Sequence, residues 1–369
     1  MDKITVTSPL LPPLKEVIPY LEDIWDRKWL TNNGIYHQQL EKKLCEYLGV
    51  PYISLFSNGT LALITALQSL ELKGEVITTP YTFAATAHAL KWNDLKPVFV
   101  DIDPVTMNLD PSCIEAAITD NTCAILPVHV YGTPCDEQAI SAIAKKYELK
   151  VIYDAAHAFG VKEREQSILN YGDLSILSFH ATKTYSTIEG GAVICKSQEE
   201  KDKLDQLKNF GFESETVIKA CGMNAKLNEI QAAFGLASLK KVDAAIERRS
   251  EIAALYQQSL KNVSGLSTLR NNHEVSLNHS YFPIIIDEDK FGIDRDTLAL
   301  KLEENNIFAR RYFYPIVSEF EVFKNEYSDT PIAKDISNRV LCLPIHADLT
   351  LEQQQRVIDA ILNSRGGKK

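Results

Sequence analysis

The chain holds seven cysteines, and no two of them form a C-x-x-C pair (Cys45, Cys113, Cys123, Cys135, Cys195, Cys221, Cys342). An odd, scattered set argues against a disulfide framework and against zinc, so no metal is expected; it points to free thiols in a reducing cytoplasm. Basic residues are outnumbered, 39 to 49 acidic, and the net charge is −10. That balance disfavours a nucleic-acid backbone as main partner, while leaving room for a local basic patch on a phosphate-bearing ligand. No apolar run approaches the roughly 18 residues that cross a bilayer. The opening MDKITVTSPLLPPL lacks the charged-then-apolar order of a secretion signal, so no membrane partner is expected either. There is no G-x-G-x-x-G, which removes the dinucleotide fingerprint. Internal repeats and low-complexity stretches are missing too; only the tail Gly366–Lys369 reads as disordered.

What is present is a chain of 369 residues, 45% hydrophobic, long enough for two domains. A Pro-rich arm leads into a helix around Val17–Trp29, and Thr31-Asn32-Asn33-Gly34 reads as a turn before a helix over Tyr36–Tyr47. Apolar runs at Ile53–Phe56, Glu75–Pro80, Pro97–Asp101, Ala124–Val128, Val151–Asp154 and Leu174–Phe179 alternate with helical patterns. Such alternation predicts an α/β fold: βαβ units on a mostly parallel sheet with helices on both faces, its ligands at the carboxyl ends of the strands. Lys226–Leu260 is periodic throughout and reads as one long helix bridging two domains. We place the boundary near residue 245, giving a large domain over 1–245 and a smaller α+β domain over 246–369. The latter is predicted to hold strands at Ser280–Ile286, Phe308–Tyr314 and Val340–Leu343, a helix at Asp294–Asn305, and a closing helix capped by Thr350 and Gln353.

Three polar clusters fall at or just past strand ends: Ser57–Thr60, Asp154 with His157, and Ser178–Lys183. Ser57-Asn58-Gly59-Thr60 joins a strand to a helix N-terminus, either a phosphate site or a plain Ser/Asn cap. Lys183 stands between an apolar strand and the pair Gly190-Gly191, on short backbone suited to an amine that must be fixed and partly desolvated. A strand-end carboxylate keeps a pyridinium nitrogen protonated, a lysine condenses with an aldehyde, and a helix N-terminus neutralises a phosphate. Together these are the demands of pyridoxal 5′-phosphate.

The motifs Ser57-Asn58-Gly59-Thr60, Thr82-Phe83-Ala84-Ala85-Thr86, Val98–Asp103, Asp154-Ala155-Ala156-His157-Ala158, Ser178-Phe179-His180-Ala181-Thr182-Lys183, Glu189-Gly190-Gly191 and Gly222–Glu229 stand in order. From about residue 5 to the end the chain resembles the DegT-type nucleotide-sugar aminotransferases, which are fold-type I PLP-dependent transferases. The resemblance implies that Lys183 binds the cofactor covalently, Asp154 pairs with its ring nitrogen and His157 lies over it near the 3-hydroxyl, where many relatives carry Gln. It implies that Phe83 stacks on the ring and that Ser57, Gly59, Thr60 and Ser178 hold the phosphate. Asn224 would reach that phosphate from the other subunit of a homodimer with shared active sites, and Asn228 is a weaker candidate for the same task. His180 either supports the lysine loop or acts directly.

For a sugar nucleotide the resemblance directs attention to Thr31, Asn33, Arg310, Tyr312, Tyr314 and His346. The run Arg310–Pro315 offers cations for a diphosphate and aromatics for a sugar or base. Keeping Lys183, where some relatives carry histidine and dehydrate sugars, favours transamination through a pyridoxamine 5′-phosphate form with L-glutamate as donor. The opening Leu11-Pro12-Pro13-Leu14 and Trp29–Gly34 look most like enzymes acting at C4 of dTDP-4-keto-6-deoxyglucose, for O-antigen or other lipopolysaccharide sugars. The alternatives are a 3-aminotransferase on a dTDP-3-keto-6-deoxyhexose, a PLP-binding regulator without turnover, and a PLP lyase acting on amino acids.

Overall fold

The computed structural model describes residues 2–269, 273–326 and 328–365; the tail Gly366–Lys369 lies outside them. A short strand β1 (Ile4–Thr5) precedes helices α1 (Leu14–Arg27) and α2 (Ile35–Leu48). The alternating part follows: β2 (Tyr52–Phe56), α3 (Gly59–Ser69), β3 (Glu75–Thr78), α4 (Ala84–Trp92), β4 (Lys96–Phe99), β5 (Thr122–Leu126), α5 (Glu137–Tyr147), β6 (Lys150–Asp154), β7 (Leu174–Ser178) and β8 (Gly191–Cys195). These strands form a seven-stranded sheet in the order β2-β8-β7-β6-β5-β3-β4. Only β8 is reversed, lying antiparallel to β2 and β7, while every other neighbouring pair is parallel.

Both faces of the sheet are buried, which is why its strands are continuous apolar runs rather than alternating ones. Side chains point to opposite faces in turn. Leu174 and Ile176 of β7 and Val193 and Cys195 of β8 join the core under α3. Leu177, Ala192 and Ile194 face the opposite way, onto Leu40, Leu44 and Leu48 of α2.

The C-terminal part contains α6 (Gln198–Leu207), α7 (Glu229–Leu239), α8 (Val242–Leu260), β9 (Leu266–Thr268), β10 (Phe282–Ile286), α9 (Arg295–Glu304), β11 (Ile307–Phe308), α10 (Pro331–Arg339), β12 (Val340–Leu343) and α11 (Leu351–Asn363). Strands β9, β10 and β12 make a second, antiparallel sheet. Helix α8 serves two cores: Val242 packs in the α2 core, whereas Ile252, Tyr256 and Leu260 pack in the C-terminal one. Residue 245 therefore falls inside a continuous helix. β1 pairs in parallel with β11, and Ile4 is buried in the C-terminal core.

Three expectations need correction. The expected single helix over Lys226–Leu260 is two, α7 and α8, with Lys240 and Lys241 between them. Leu227 is buried ahead of the first helix, and Asn228 is its N-cap, closing a capping box with Gln231. The apolar period runs through the break because α7 and the start of α8 pack on one core, and periodicity cannot register a one-turn reset. The expected strand Phe308–Tyr314 stops at Phe308. Beyond it, Arg310 pairs with Cys342 through its backbone, and the Tyr312 carbonyl accepts the hydroxyls of Tyr131 and Tyr81, which removes it from any ladder. The first helix begins at Leu14, directly after Pro13, rather than near Val17.

Candidate active site

Parallel strands that end at one edge deliver their last residues to one place. Asp154 is the last residue of β6, and only 6% of its surface is exposed. Its Oδ2 accepts the Thr86 hydroxyl of α4 at 2.7 Å and its Oδ1 accepts the Ala156 N–H at 3.1 Å. Burial raises the carboxyl above its ordinary pKa, while these two donors and the nearby Lys183 charge pull it the other way. Lys183 sits in the loop after β7, its N–H bonded to the His180 carbonyl at 2.9 Å. Desolvation lowers its amine to about 8, against the opposing pull of Asp154 and Tyr312. A lysine at that value keeps a sizeable minority of neutral amine near physiological pH, far more than an ordinary lysine, as a nucleophile and base needs.

His157 is 4% exposed and its ring lies parallel to Phe313 with centroids 5.8 Å apart. Its Nδ1 accepts the Tyr131 N–H at 3.2 Å, which leaves the proton on Nε2. Burial and the Lys183 charge drive its pKa well down, so the ring is neutral.

Ser57 ends the β2 turn, and Asn58 caps α3 by accepting the Leu61 N–H at 2.9 Å. The first-turn N–H groups of Gly59 and Thr60 have no partner within the helix, and the helix dipole is positive there. Gly59 is a contact requirement: a Cβ there would stand 2.9 Å from Ser178 Cβ. Gly191 serves the same end, since a Cβ on it would lie 2.6 Å from Gly59 N. The α3 N-terminus, Ser178 and the start of β8 are thus pressed into one anion cradle. Phe83, the N-cap residue of α4, is 59% exposed. A buried strand-end carboxylate, a partly neutral amine, an exposed aromatic residue and a helix N-terminus fit pyridoxal phosphate as a set.

The remaining candidates are dispersed. His180 is exposed, held by Thr182 at 2.8 Å and 3.5 Å from Glu189, on the outside of the lysine loop. Tyr312 acts on the Lys183 charge, and Arg310 lies 5.9 Å from the Tyr312 ring, so both border the site. Tyr314 instead packs on Arg295 at 4.6 Å. His346 is buried beside Arg249, and its Nδ1 has no partner among the described residues. Thr31 and Asn33 stand in a turn ahead of α2, where Asn33 is left-handed and Gly34 fits against the buried Glu229 carboxylate. Asn224 is exposed, and among the described residues its side chain makes no hydrogen bond to the Lys183 cluster of its own chain.

Sequence reading gave no role to Thr86, although it lies within a quoted motif, nor to Tyr131, Phe313 and Tyr281. Tyr281 touches Lys183, with its hydroxyl 3.4 Å from Nζ. No local signal marks these residues, since only the tertiary fold gathers them.

Comparison with known proteins identifies the set. A model of the DegT/DnrJ/EryC1/StrS aminotransferase family matches residues 14–362. The chain belongs to this family. It is 56% identical over 364 residues to a Shigella dysenteriae protein named dTDP-4-amino-4,6-dideoxy-D-glucose transaminase, spanning 98% of this chain and 99% of that one. Among solved structures, DesI, crystallised in the presence of its TDP-sugar product, superimposes with a TM-score of 0.94 at 34% identity, covering 99% of this chain and 94% of that one. Bacillus subtilis NtdA, solved with bound PMP, superimposes at 0.88 with 29% identity over 95% of this chain and 81% of that one. The family consists of PLP-dependent sugar aminotransferases, and this chain retains the lysine and the strand-end carboxylate that such chemistry needs.

The depressed Lys183 value yields a pH prediction. Only the neutral amine attacks an aldehyde, so the apo-protein should develop visible colour with pyridoxal phosphate faster as pH rises, levelling off above about 8. Stopped-flow absorbance reads the rate; a plateau that begins only near the ordinary lysine value would contradict the site as described.

Proposed function

We propose that this aminotransferase carries an amino group from L-glutamate to the C4 keto group of dTDP-4-keto-6-deoxyglucose, forming dTDP-4-amino-4,6-dideoxyglucose for O-antigen or related surface polysaccharides. The observation that carries the transfer step is the Lys183 amine, lowered to about 8 and sharing its field with the buried Asp154 carboxylate. The name of the Shigella relative, at 56% identity, supports the choice of sugar, nucleotide and position. The seven free cysteines suit a cytoplasmic setting.

Bound pyridoxal phosphate supplies an electron sink that lets a proton leave the carbon bearing the transferred nitrogen. The protein does the rest. Asp154 would hold positive charge at the ring nitrogen, and the α3 N-terminus with Ser57, Gly59, Thr60 and Ser178 would bind the phosphate. Phe83 would pack on the ring, and the Nε2 proton of His157 would serve its 3-hydroxyl side. Lys183 takes the proton from the substrate carbon and delivers one to the acceptor carbon. Arg310 and Tyr312, at the border of the site, suit the diphosphate and the sugar, and Thr31 and Asn33 are the further nucleotide candidates.

The second copy of the chain belongs against α1. Val17 and Ile24 are buried on one flank of that helix, while Leu14, Ile18 and Trp25, about a quarter turn around it, are 70%, 41% and 63% exposed. Leu11, Trp29 and Leu30 extend this apolar surface. An apolar helix surface exposed in this way marks a self-association face, and Asn224 then reaches the phosphate of the opposite site.

Incubating the protein with glutamate and dTDP-4-keto-6-deoxyglucose should give the 4-amino sugar and 2-oxoglutarate, with the position of nitrogen read by NMR. A 3-amino product, or none, would overturn the substrate assignment, and Lys183→Ala should lose both visible colour and turnover. Shared sites predict complementation as well. Lys183→Ala and Asn224→Ala dimers, each nearly inactive, should recover about a quarter of wild-type activity after subunit exchange, since half the dimers are mixed and each has one intact site. No recovery would contradict the shared site.

A further inference from the structure

The amine of Lys183 has one hydrogen-bond partner among the described residues, the hydroxyl of Tyr281 at 3.4 Å. Tyr281 does not come from the strand-end motifs. It immediately precedes β10, in the C-terminal part of the chain, and reaches the site through a buried polar clasp. Asn278 donates from Nδ2 to the carbonyls of His157 and Phe159, both at 2.9 Å, and accepts the Ser280 N–H at 3.0 Å. Ser280 Oγ donates to the His157 carbonyl at 3.0 Å and lies 2.9 Å from Thr184 Oγ1, one residue past Lys183. Arg249 of α8 holds the His279 carbonyl at 3.3 Å. Asn278, Ser280, Thr184 and Arg249 are 1%, 4%, 2% and 2% exposed. Gly132 permits the approach, because a Cβ on it would stand 2.9 Å from the His157 carbonyl and 3.1 Å from Asn278 Oδ1. Buried polar groups fully paired in this way fix geometry. They tie the His157 loop, the Lys183 loop and Tyr281 into one rigid unit.

We propose that Tyr281 is a catalytic residue of the transamination, its hydroxyl holding the Lys183 amine in place whenever that amine is free and protonated, with Asn278 as its positioning residue. This rests on the functional reading above. When the substrate C–H bond breaks, its electron pair stays with the carbon framework, and the Lys183 lone pair forms the new N–H bond. The resulting ammonium gives one N–H to the Tyr281 oxygen while another proton is delivered to the acceptor carbon; Tyr281 itself neither gains nor loses a proton. The groups facing Lys183 are Asp154, Tyr312, His157 and Tyr281. Burial keeps the Tyr281 hydroxyl neutral, against the opposing influence of Arg249. Asp154 serves the ring nitrogen, His157 is neutral, and Tyr312 makes no hydrogen bond to the amine among the described residues, which leaves Tyr281 to direct the ammonium.

The test uses the full-length protein and its Tyr281→Phe and Asn278→Ala variants. Two quantities are read: the pH midpoint of the rate at which the cofactor-free protein develops visible colour with pyridoxal phosphate, which follows the free Lys183 amine, and the single-turnover rate of colour loss with glutamate in the PLP-loaded protein. A hydrogen bond accepted from the protonated nitrogen favours that form, so Tyr281→Phe should lower the midpoint by about one pH unit. It should slow the single turnover by about tenfold, with half-saturation by glutamate changed less than about twofold. Asn278→Ala, which keeps the hydroxyl but frees its support, should shift both quantities in the same direction by less, and it stands alone as the test should Tyr281→Phe not fold. Unchanged midpoint and rate in either variant, or a change in half-saturation alone, would overturn the proposal. A wild-type protein that never colours with pyridoxal phosphate would instead remove the functional reading, and this inference with it.

Discussion

The structure depends on a buried carboxylate that can remain useful only if cations stand close to it. Asp154 loses most of its water at the end of a central strand, and that loss alone favours its neutral form. The Thr86 hydroxyl, the Ala156 N–H and the Lys183 charge counter the effect. The same burial acts on Lys183 in the opposite sense, taking its amine toward the neutral form. One desolvated space thus shifts both groups toward their neutral forms, the acid upward and the base downward, while each holds the other's charge in check. Neither group could do this in water, where each would sit at its ordinary pKa.

The fold serves this constraint. Parallel strands with both faces covered keep the sheet interior dry and bring β6 and β7 to a common edge. The reversed strand β8 returns along β7, and Gly191 lets it approach the α3 N-terminus closely. Positive dipole, buried acid and fixed amine therefore arise at the ends of β2, β6 and β7, with β8 lying between β2 and β7. The C-terminal part contributes Tyr281, Tyr312 and Phe313, which pack with Tyr81 and Tyr131 of the large sheet's loops in a core of their own.

Much of this was legible before the fold was known. Strands with both faces buried are short apolar runs bounded by polar turns, so β2 and β5 to β7 could be read within a residue or two. Caps such as Asn58, Asp294 and Thr350 mark helix starts because their side chains compete for first-turn N–H groups. The placement of Asp154 and of the Lys183 loop at strand ends was legible because apolar runs mark where parallel strands stop. The break at Lys240-Lys241 was not, since the apolar period continues through it. Arg310–Pro315 reads as a strand, yet tyrosine hydroxyls more than a hundred residues away in sequence claim its carbonyl. Tyr281 carries no local mark at all; its place at Lys183 comes from Asn278 bonding to the His157 loop, a contact between distant segments.

The central claim is that Asp154 and Lys183 address opposite ends of one pyridine ring. Loading the protein with ring-15N pyridoxal phosphate and recording the nitrogen chemical shift tests it most directly. The account predicts a protonated ring nitrogen in the wild type across neutral pH, and an unprotonated one in Asp154→Asn with the Lys183 attachment still coloured. A ring nitrogen whose protonation is the same in both proteins would contradict it.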